Sequence, residues 1–212
     1  ASCDEAIRIQ DPDKCQFGVE KIEFYGHMFT KDGLKPTEEK TRAVKECQRP
    51  ESKQRVKSFL GMVGYLSKFI PRYSSLTAPL REVTHENVKF KWGPEQQKAY
   101  DALKASITSE DTMAYFNPAK PITVRVEASF HEGLSAGLFQ PSSRGLQPVH
   151  FISRALTDPE TRYSQTEKDA LAVSWAKQRF KMYLLGAPRF QIITAHKPLL
   201  PLFNKATSKL PP

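Results

Sequence analysis

The sequence predicts an α/β (α+β) chain: a small hairpin and a helical unit, followed by a second domain built of strands and a helix. Three observations carry this. Apolar residues recur at spacings of three and four between residues 52 and 70. After Asn117-Pro118 the period switches to two. The elements beyond that switch then read as three strands, a helix, a strand and a short helix. A chain of 212 residues, 39% apolar and 10% aromatic, falls between one domain and two.

Taken in order, residues 17–36 read FGVEKIEFYGHMFTKDGLKP, with Ile22, Phe24 and Met28 on alternate positions and Asp32-Gly33 as a turn, so a hairpin is expected. Thr37, Lys40 and Ala43-Val44 indicate a short helix ending before Pro50. Ser52 caps the next helix, whose face of Val56, Phe59, Leu60, Val63, Leu66, Phe69 and Ile70 is expected to be buried and to stop at Pro71. Its opposite face carries Lys53, Arg55, Lys57 and Lys68, readable either as a solvated bundle face or as contacts to phosphates. From Trp92 to Ile107 the helical spacing returns through Ala99 and Leu103, so residues 37–110 form a helical unit.

Ile122, Val124 and Val126 alternate with Thr123 and Arg125, placing a strand with one covered face beyond a boundary near 116. Leu134–Gln140 and Val149–Ser153 are further strands, paired antiparallel across the turn-rich PSSRG segment. A long helix starts near Ser164, contains Leu171, Trp175 and Tyr183-Leu184, and stops at Gly186. Arg189–Thr194 is a fourth strand and Pro198–Asn204 a short helix.

Composition narrows the function. The 16 prolines are scattered, not gathered into a low-complexity tract. No apolar run approaches the roughly 20 residues of a membrane span, and Ala1–Gln10 does not read as a leader, so an intracellular chain with no membrane partner is expected. Whether it is nuclear or cytoplasmic is open. Cys3, Cys15 and Cys47 are odd in number and not closely paired, which argues against a disulfide framework or a zinc site. Thirty-two Lys and Arg against 23 Asp and Glu leave a net charge of +9. Residues 116–212 hold 13 basic and 6 acidic side chains against 19 and 17 before them, so the excess sits in the second half. This favours a polyanionic partner without proving one.

With these elements placed, the chain resembles the pol polyprotein of Ty3/gypsy-type LTR retrotransposons. KCQFGVEKIEFYGHMFTKDGLKP resembles the end of the polymerase palm, RVKSFLGMVGYLSKFIPRYSSLTAPLREV the thumb, and VHFISRALTDPETRYSQTEKDALAVSWA with ITAHKPLLPLFN the ribonuclease H (RNase H) domain. The resemblance implies a palm end at 1–36 with a primer-grip-like hairpin at Phe24, Tyr25, Gly26 and His27, a thumb or connection at 37–115, and at 116–212 an RNase H-like domain with a mixed sheet that lacks its last strand and helix. Phe24 and Gly26 also read, without it, as a core aromatic and a strand bulge. The family's polymerase carboxylates fall before the first residue, so nucleotide addition is not expected.

RNase H chemistry uses two divalent ions, roughly 3.5 to 4 Å apart, and needs several converging carboxylates. The family's TDAS-like sequence corresponds to Val126-Glu127-Ala128-Ser129, where Glu127 keeps the charge with one extra methylene, and Ser135 stands where the family usually has Gly. A shift of around 1 Å can cost on the order of 10²-fold in rate. Glu167 matches the family's helix glutamate, although Ser164-Gln165-Thr166-Glu167 is equally a capping box. Asp169 is expected to face away from it and not to rescue the site. In the TDHKPL-like stretch Ala195 replaces the third carboxylate, and His196 is expected to bond locally. A further acidic ligand of the family would follow Pro212. No metal or other cofactor is therefore expected here, although the family uses Mg²⁺ or Mn²⁺.

Three readings stay open. One is a noncatalytic module, of the sort a host gene encodes after absorbing a retroelement fragment, that binds an RNA/DNA hybrid or duplex through Lys53, Arg55, Lys57, Lys68 and Arg154. Another is a structural domain with a protein partner that kept the fold and lost the chemistry. The third, an active RNase H completed by missing segments, leaves Ala195 unexplained.

Overall fold

The computed structural model of the chain describes residues 18–108, 112–143, 145–187 and 189–203. Three short strands open it: β1 (Lys21–Phe24), β2 (His27–Thr30) and β3 (Gly33–Pro36), paired antiparallel in that order. The expected single hairpin is thus a three-stranded meander. Tyr25 and Gly26 both have positive φ, 46° and 62°, as the tightest two-residue hairpin turn requires, and Phe24 pairs with His27 across it. Gly26 is therefore a turn residue and not a strand bulge. Phe24 is also no core residue, since the whole of β1 is exposed. The second turn is Lys31-Asp32, with Gly33 already opening β3 at φ 134°. A side chain at Gly33 would collide with the carbonyl oxygen of Met113, a residue whose N–H donates to the Leu34 carbonyl and whose carbonyl accepts from the Leu34 N–H.

Helices α1 (Glu38–Glu46) and α2 (Lys53–Tyr65) start where their caps predict: Thr37 accepts from the Lys40 N–H and Ser52 from the Arg55 N–H. α2 ends earlier than the apolar spacing implies. α2 stops at Tyr65, one residue past Gly64, the chain then tightens into a 3-10 turn at Ser67–Phe69, and Ile70 is extended (ψ 111°), as a residue before proline prefers. Leu66, Phe69 and Ile70 still reach the core that Val56, Phe59 and Val63 begin. α3 (Tyr73–Glu82) was not legible, because YSSLTAPLRE has no side-chain cap and encloses Pro79; burial of Thr77 and Leu80 holds it in place. α4 (Pro94–Thr108) begins with proline at its first position and buries Ala99, Tyr100, Leu103 and Ile107. Cys47 is a free thiol; Cys3 and Cys15 lie outside the described residues.

The second core is a mixed sheet. β4 (Ile122–Ala128), β5 (Gly133–Ser142), β6 (Gly145–Ala155) and β7 (Phe190–Thr194) lie in the order β6-β5-β4-β7, with β4 and β7 parallel and the other pairs antiparallel. Pro148 is tolerated because β6 is an edge strand, and the ladder shifts register beside it at Leu138/Phe139. After a short α5 (Asp158–Thr161), too brief to show a period, α6 (Gln165–Arg179) lays Ala172 and Ala176 on Val124, Val126, Leu134 and Leu138. The long helix expected up to Gly186 breaks at Phe180, whose ring drops into this core before α7 (Lys181–Leu184). α8 (Leu199–Phe203) closes the described chain, and Asn204 of the expected helix lies outside it. The Ser74 N–H donates to Ser153 Oγ at 2.9 Å and the Ala114 N–H to the Pro148 carbonyl at 2.8 Å, so β6 joins the two cores. Among the described residues no helix is long and apolar enough to cross a membrane.

Candidate nucleic-acid interface and nuclease-like cleft

A cleft of about 640 Å³ opens at the C-terminal end of β4. The parallel register Val126↔Thr194 sets Ala195 beside Glu127, while β5 places Ser135 opposite it. Glu127 is more than half exposed, and Arg72 Nε from the start of α3 lies 3.8 Å from its Oε2. Arg72 itself adopts the left-handed conformation, φ 52°, that delivers the chain from Pro71 into α3.

The helix carboxylate in this cleft is Asp169, not Glu167. Glu167 Oε2 turns back to accept hydrogen bonds from the Ser164 N–H and Oγ–H, both at 2.8 Å, and these hold its carboxyl below the usual glutamate range. Two residues further is about 200° round a helix, so Asp169 faces inward. Its Oδ2 accepts from Gln165 Nε2 at 2.8 Å and lies 3.3 Å from His196 Nδ1, while His196 Nε2 meets Thr166 Oγ1 at 3.0 Å. Asp169 does face away from Glu167, as expected, but it is Asp169 that lines the cleft, so the expectation that it stands outside the site is corrected. A sequence signal existed: Asp169 shares its helical phase with Ala172 and Ala176, the residues packed on the sheet. His196 bonds locally, as expected, and also lines the cleft. Among the described residues no group of three or more His, Cys, Asp or Glu is arranged to hold a metal ion.

The basic candidates separate into different roles. Lys53 Nζ donates to the carbonyls of His85 and Glu86 at 2.6 and 3.1 Å, which anchors α2 and makes it unlike a free phosphate contact. Arg55 and Lys57 are exposed on the outer face of α2. Lys68 is half-buried over the Phe69 ring, and burial lowers its pKa. Arg154 is held by Glu160 through two hydrogen bonds, Nη1 to Oε2 at 2.6 Å and Nη2 to Oε1 at 2.8 Å, and lies over the Trp175 ring. At the first hairpin, Phe24 and Tyr25 project edge to face into solvent. Tyr65 O–H donates to the Tyr25 carbonyl and stacks on His27, whose pKa is lowered by burial and then by Lys68. Sequence reasoning missed Arg72, Arg81 and Arg179, whose approach to the sheet is made by segments distant in sequence.

Comparison with known proteins places this geometry. Residues 92–192 match the RNase H-like domain found in reverse transcriptase. The chain is 35% identical over 193 residues to the retrovirus-related Pol polyprotein from transposon 297 of Drosophila melanogaster, covering 91% of this chain and 18% of the relative. It is 30% identical over 189 residues to the transposon Tf2-3 polyprotein of Schizosaccharomyces pombe, covering 88% of this chain and 14% of that one. The chain thus spans about a fifth or less of the curated relatives it matches. A foamy viral protease-reverse transcriptase dRH solved in complex with double-stranded DNA shares the fold at a TM-score of 0.69 and 19% identity, over 89% of this chain and 33% of the other. The same holds for a foamy viral protease-reverse transcriptase in complex with an RNA/DNA hybrid, at a TM-score of 0.66 and 18% identity, over 89% of this chain and 26% of that one. Residues 92–192 are thus similar to the RNase H-like domain found in reverse transcriptase, and the homologues of the chain include the Pol polyproteins of Drosophila transposons and of the Ty3/gypsy-type Tf2 elements.

Proposed function

We propose that this chain is a catalytically impaired reverse transcriptase/RNase H-like fragment that binds an RNA/DNA hybrid or duplex. The observation that carries the impairment is the donor set of the cleft. Of three strand and helix positions, one is the methyl of Ala195, one is Glu127 beside Arg72, and one is Asp169, already engaged by Gln165 and His196. Two bridged Mg²⁺ or Mn²⁺ ions repel one another and need surrounding anionic oxygens. The third carboxylate of the cleft, Glu132, stands on the loop after β4, where Ser129 Oγ–H donates to its Oε2, and does not replace the one missing at Ala195; this set does not fit that pair of ions, and no step is routed through them.

Binding is supported by the basic excess in residues 116–212 and by the likeness of fold to polymerases solved with nucleic acid. The division into a palm end at 1–36, a helical thumb-like unit at 37–115 and an RNase H-like domain at 116–212 is supported by two separate cores, although the family match begins earlier, at residue 92. Retained packing with altered carboxylates is what a domesticated pseudoenzyme kept for binding would show. Anisotropy of a labelled RNA/DNA hybrid, measured with Mn²⁺ and with chelator, tests the reading. Equal affinity in both is expected; binding that disappears with the metal removed contradicts it. In the same assay Glu127→Asp with Ala195→Asp should restore a dependence on Mn²⁺.

A structural role with a protein partner is favoured by one observation: Met182, Leu185, Phe190 and Ile193 expose apolar surface on α7 and along the edge strand β7. Stoichiometric co-purification lost in Ile193→Lys would support it.

A further inference from the structure

We propose that a second groove, beside the edge strand β6, is the phosphate-backbone site of this chain, with Lys68, Arg81 and Arg179 as its contacting cations. It rests on the nucleic-acid reading above and names the surface responsible. The groove, about 410 Å³, runs between the 3-10 turn, α3, β6 and the end of α6. No carboxylate lines it, whereas Glu127, Glu132 and Asp169 line the nuclease-like cleft. An anion is therefore attracted to the β6 groove and repelled by acidic groups in the cleft.

The cations are also held in place. Lys68 lies 5.1 Å from the Phe69 ring centroid, Arg81 5.6 Å from that of Tyr73, and Arg154 5.8 Å from that of Trp175. A ring beneath a cation restricts its side chain without neutralising it, so less freedom is lost when phosphate arrives. Among the described residues Arg154 alone of these cations has a carboxylate partner, Glu160. His150 lines the same groove, and its pKa is lowered by burial and further by the positive charges of Lys68 and Arg179. Such a concentration of unpaired charge matches the regular array of a nucleic-acid backbone better than a single small anion. Because Lys68 and Arg81 come from the helical unit and Arg179 from the RNase H-like domain, a bound backbone would span both.

The test is fluorescence anisotropy of a labelled RNA/DNA hybrid with the whole chain, from about 50 to 200 mM salt. The combined variant Lys68→Gln, Arg81→Gln, Arg179→Gln should bind at least about tenfold more weakly, and each lost contact should reduce the slope of log K against log salt by about 0.9. Arg55→Gln with Lys57→Gln, on the outer face of α2, should change affinity less than about threefold, within a rim effect. If the combined variant melts below the assay temperature, Arg179→Gln alone, at an exposed position, carries the same slope test. Wild-type binding unchanged in the groove variants overturns this assignment and leaves the nucleic-acid reading standing. A wild-type chain that binds no hybrid overturns both. Polyglutamate bound more tightly than hybrid, lost in the groove variants, would reassign the groove to acidic protein and overturn the nucleic-acid choice.

Discussion

Glu160→Gln removes one charge and leaves the shape intact, which makes it the sharpest perturbation available around β6. The Glu160 side chain is only 14% exposed, accepts both guanidinium bonds of Arg154, and accepts the Thr157 N–H at 2.8 Å as part of the α5 capping box. The Arg154 hydrogen bonds are the largest cause of its lowered pKa, which falls from 4.5 to about 2. At about 1.36 kcal/mol per unit the ceiling is near 3 kcal/mol, and solvent screening of the partly exposed arginine reduces this to about 1–2 kcal/mol. For a chain of this size that is a fall of about 3–6 °C in Tm. Because the folded pKa lies below the unfolded one, the contribution is complete above about pH 4.5 and is lost as pH falls towards 2. Thermal melts of both proteins at pH 7, 4 and 2.5 should therefore show a gap that closes on acidification. The same variant frees Arg154 over the groove, so hybrid binding should tighten and its salt slope steepen by about 0.9 while stability falls. Equal melting temperatures at pH 7, or a gap undiminished at pH 2.5, would refute the reasoning.

Other perturbations follow from the packing. Gly133→Ala puts a Cβ 2.3 Å from the Arg154 carbonyl oxygen and should cost about 2–4 kcal/mol in urea unfolding, since backbone on both strands must move. Leu138→Ala, at a fully buried position in the second core, should cost about 2–5 kcal/mol; a loss below 1 kcal/mol would mean that the sheet is not packed as described. Lys168 is buried and its Nζ donates to the carbonyls of Phe130 and Thr161 at 2.8 and 2.9 Å. Lys168→Met should release the 129–132 loop, read as several-fold faster chymotryptic cleavage at Phe130 with little change at Tyr183.

What the sequence made legible was local. Thr37, Ser52 and Ser164 each bond a backbone N–H three residues on, so their helix starts could be read from the cap alone. The strand at Ile122–Ala128 followed from alternation, and Leu134–Gln140, the middle of the strand observed at Gly133–Ser142, from the turn-rich segment after it. α3 was hidden because its stability comes from burying Leu80 and Thr77 against other helices, against the preference of Pro79. Family order picked Glu167, yet helical phase, also present in the sequence, selects Asp169. Nothing local could bring Arg72 to Glu127 or gather positions 68, 81, 154 and 179 along one edge, because those meetings are made by β6 docking on the helical unit.

The most direct measurement is one gel: a labelled RNA/DNA hybrid incubated with the chain and Mn²⁺, resolved natively for binding and under denaturing conditions for cutting. The account predicts hybrid that is bound and intact, with Asp169→Asn indistinguishable from wild type. Cleavage that needs Mn²⁺ and disappears in Asp169→Asn would contradict it.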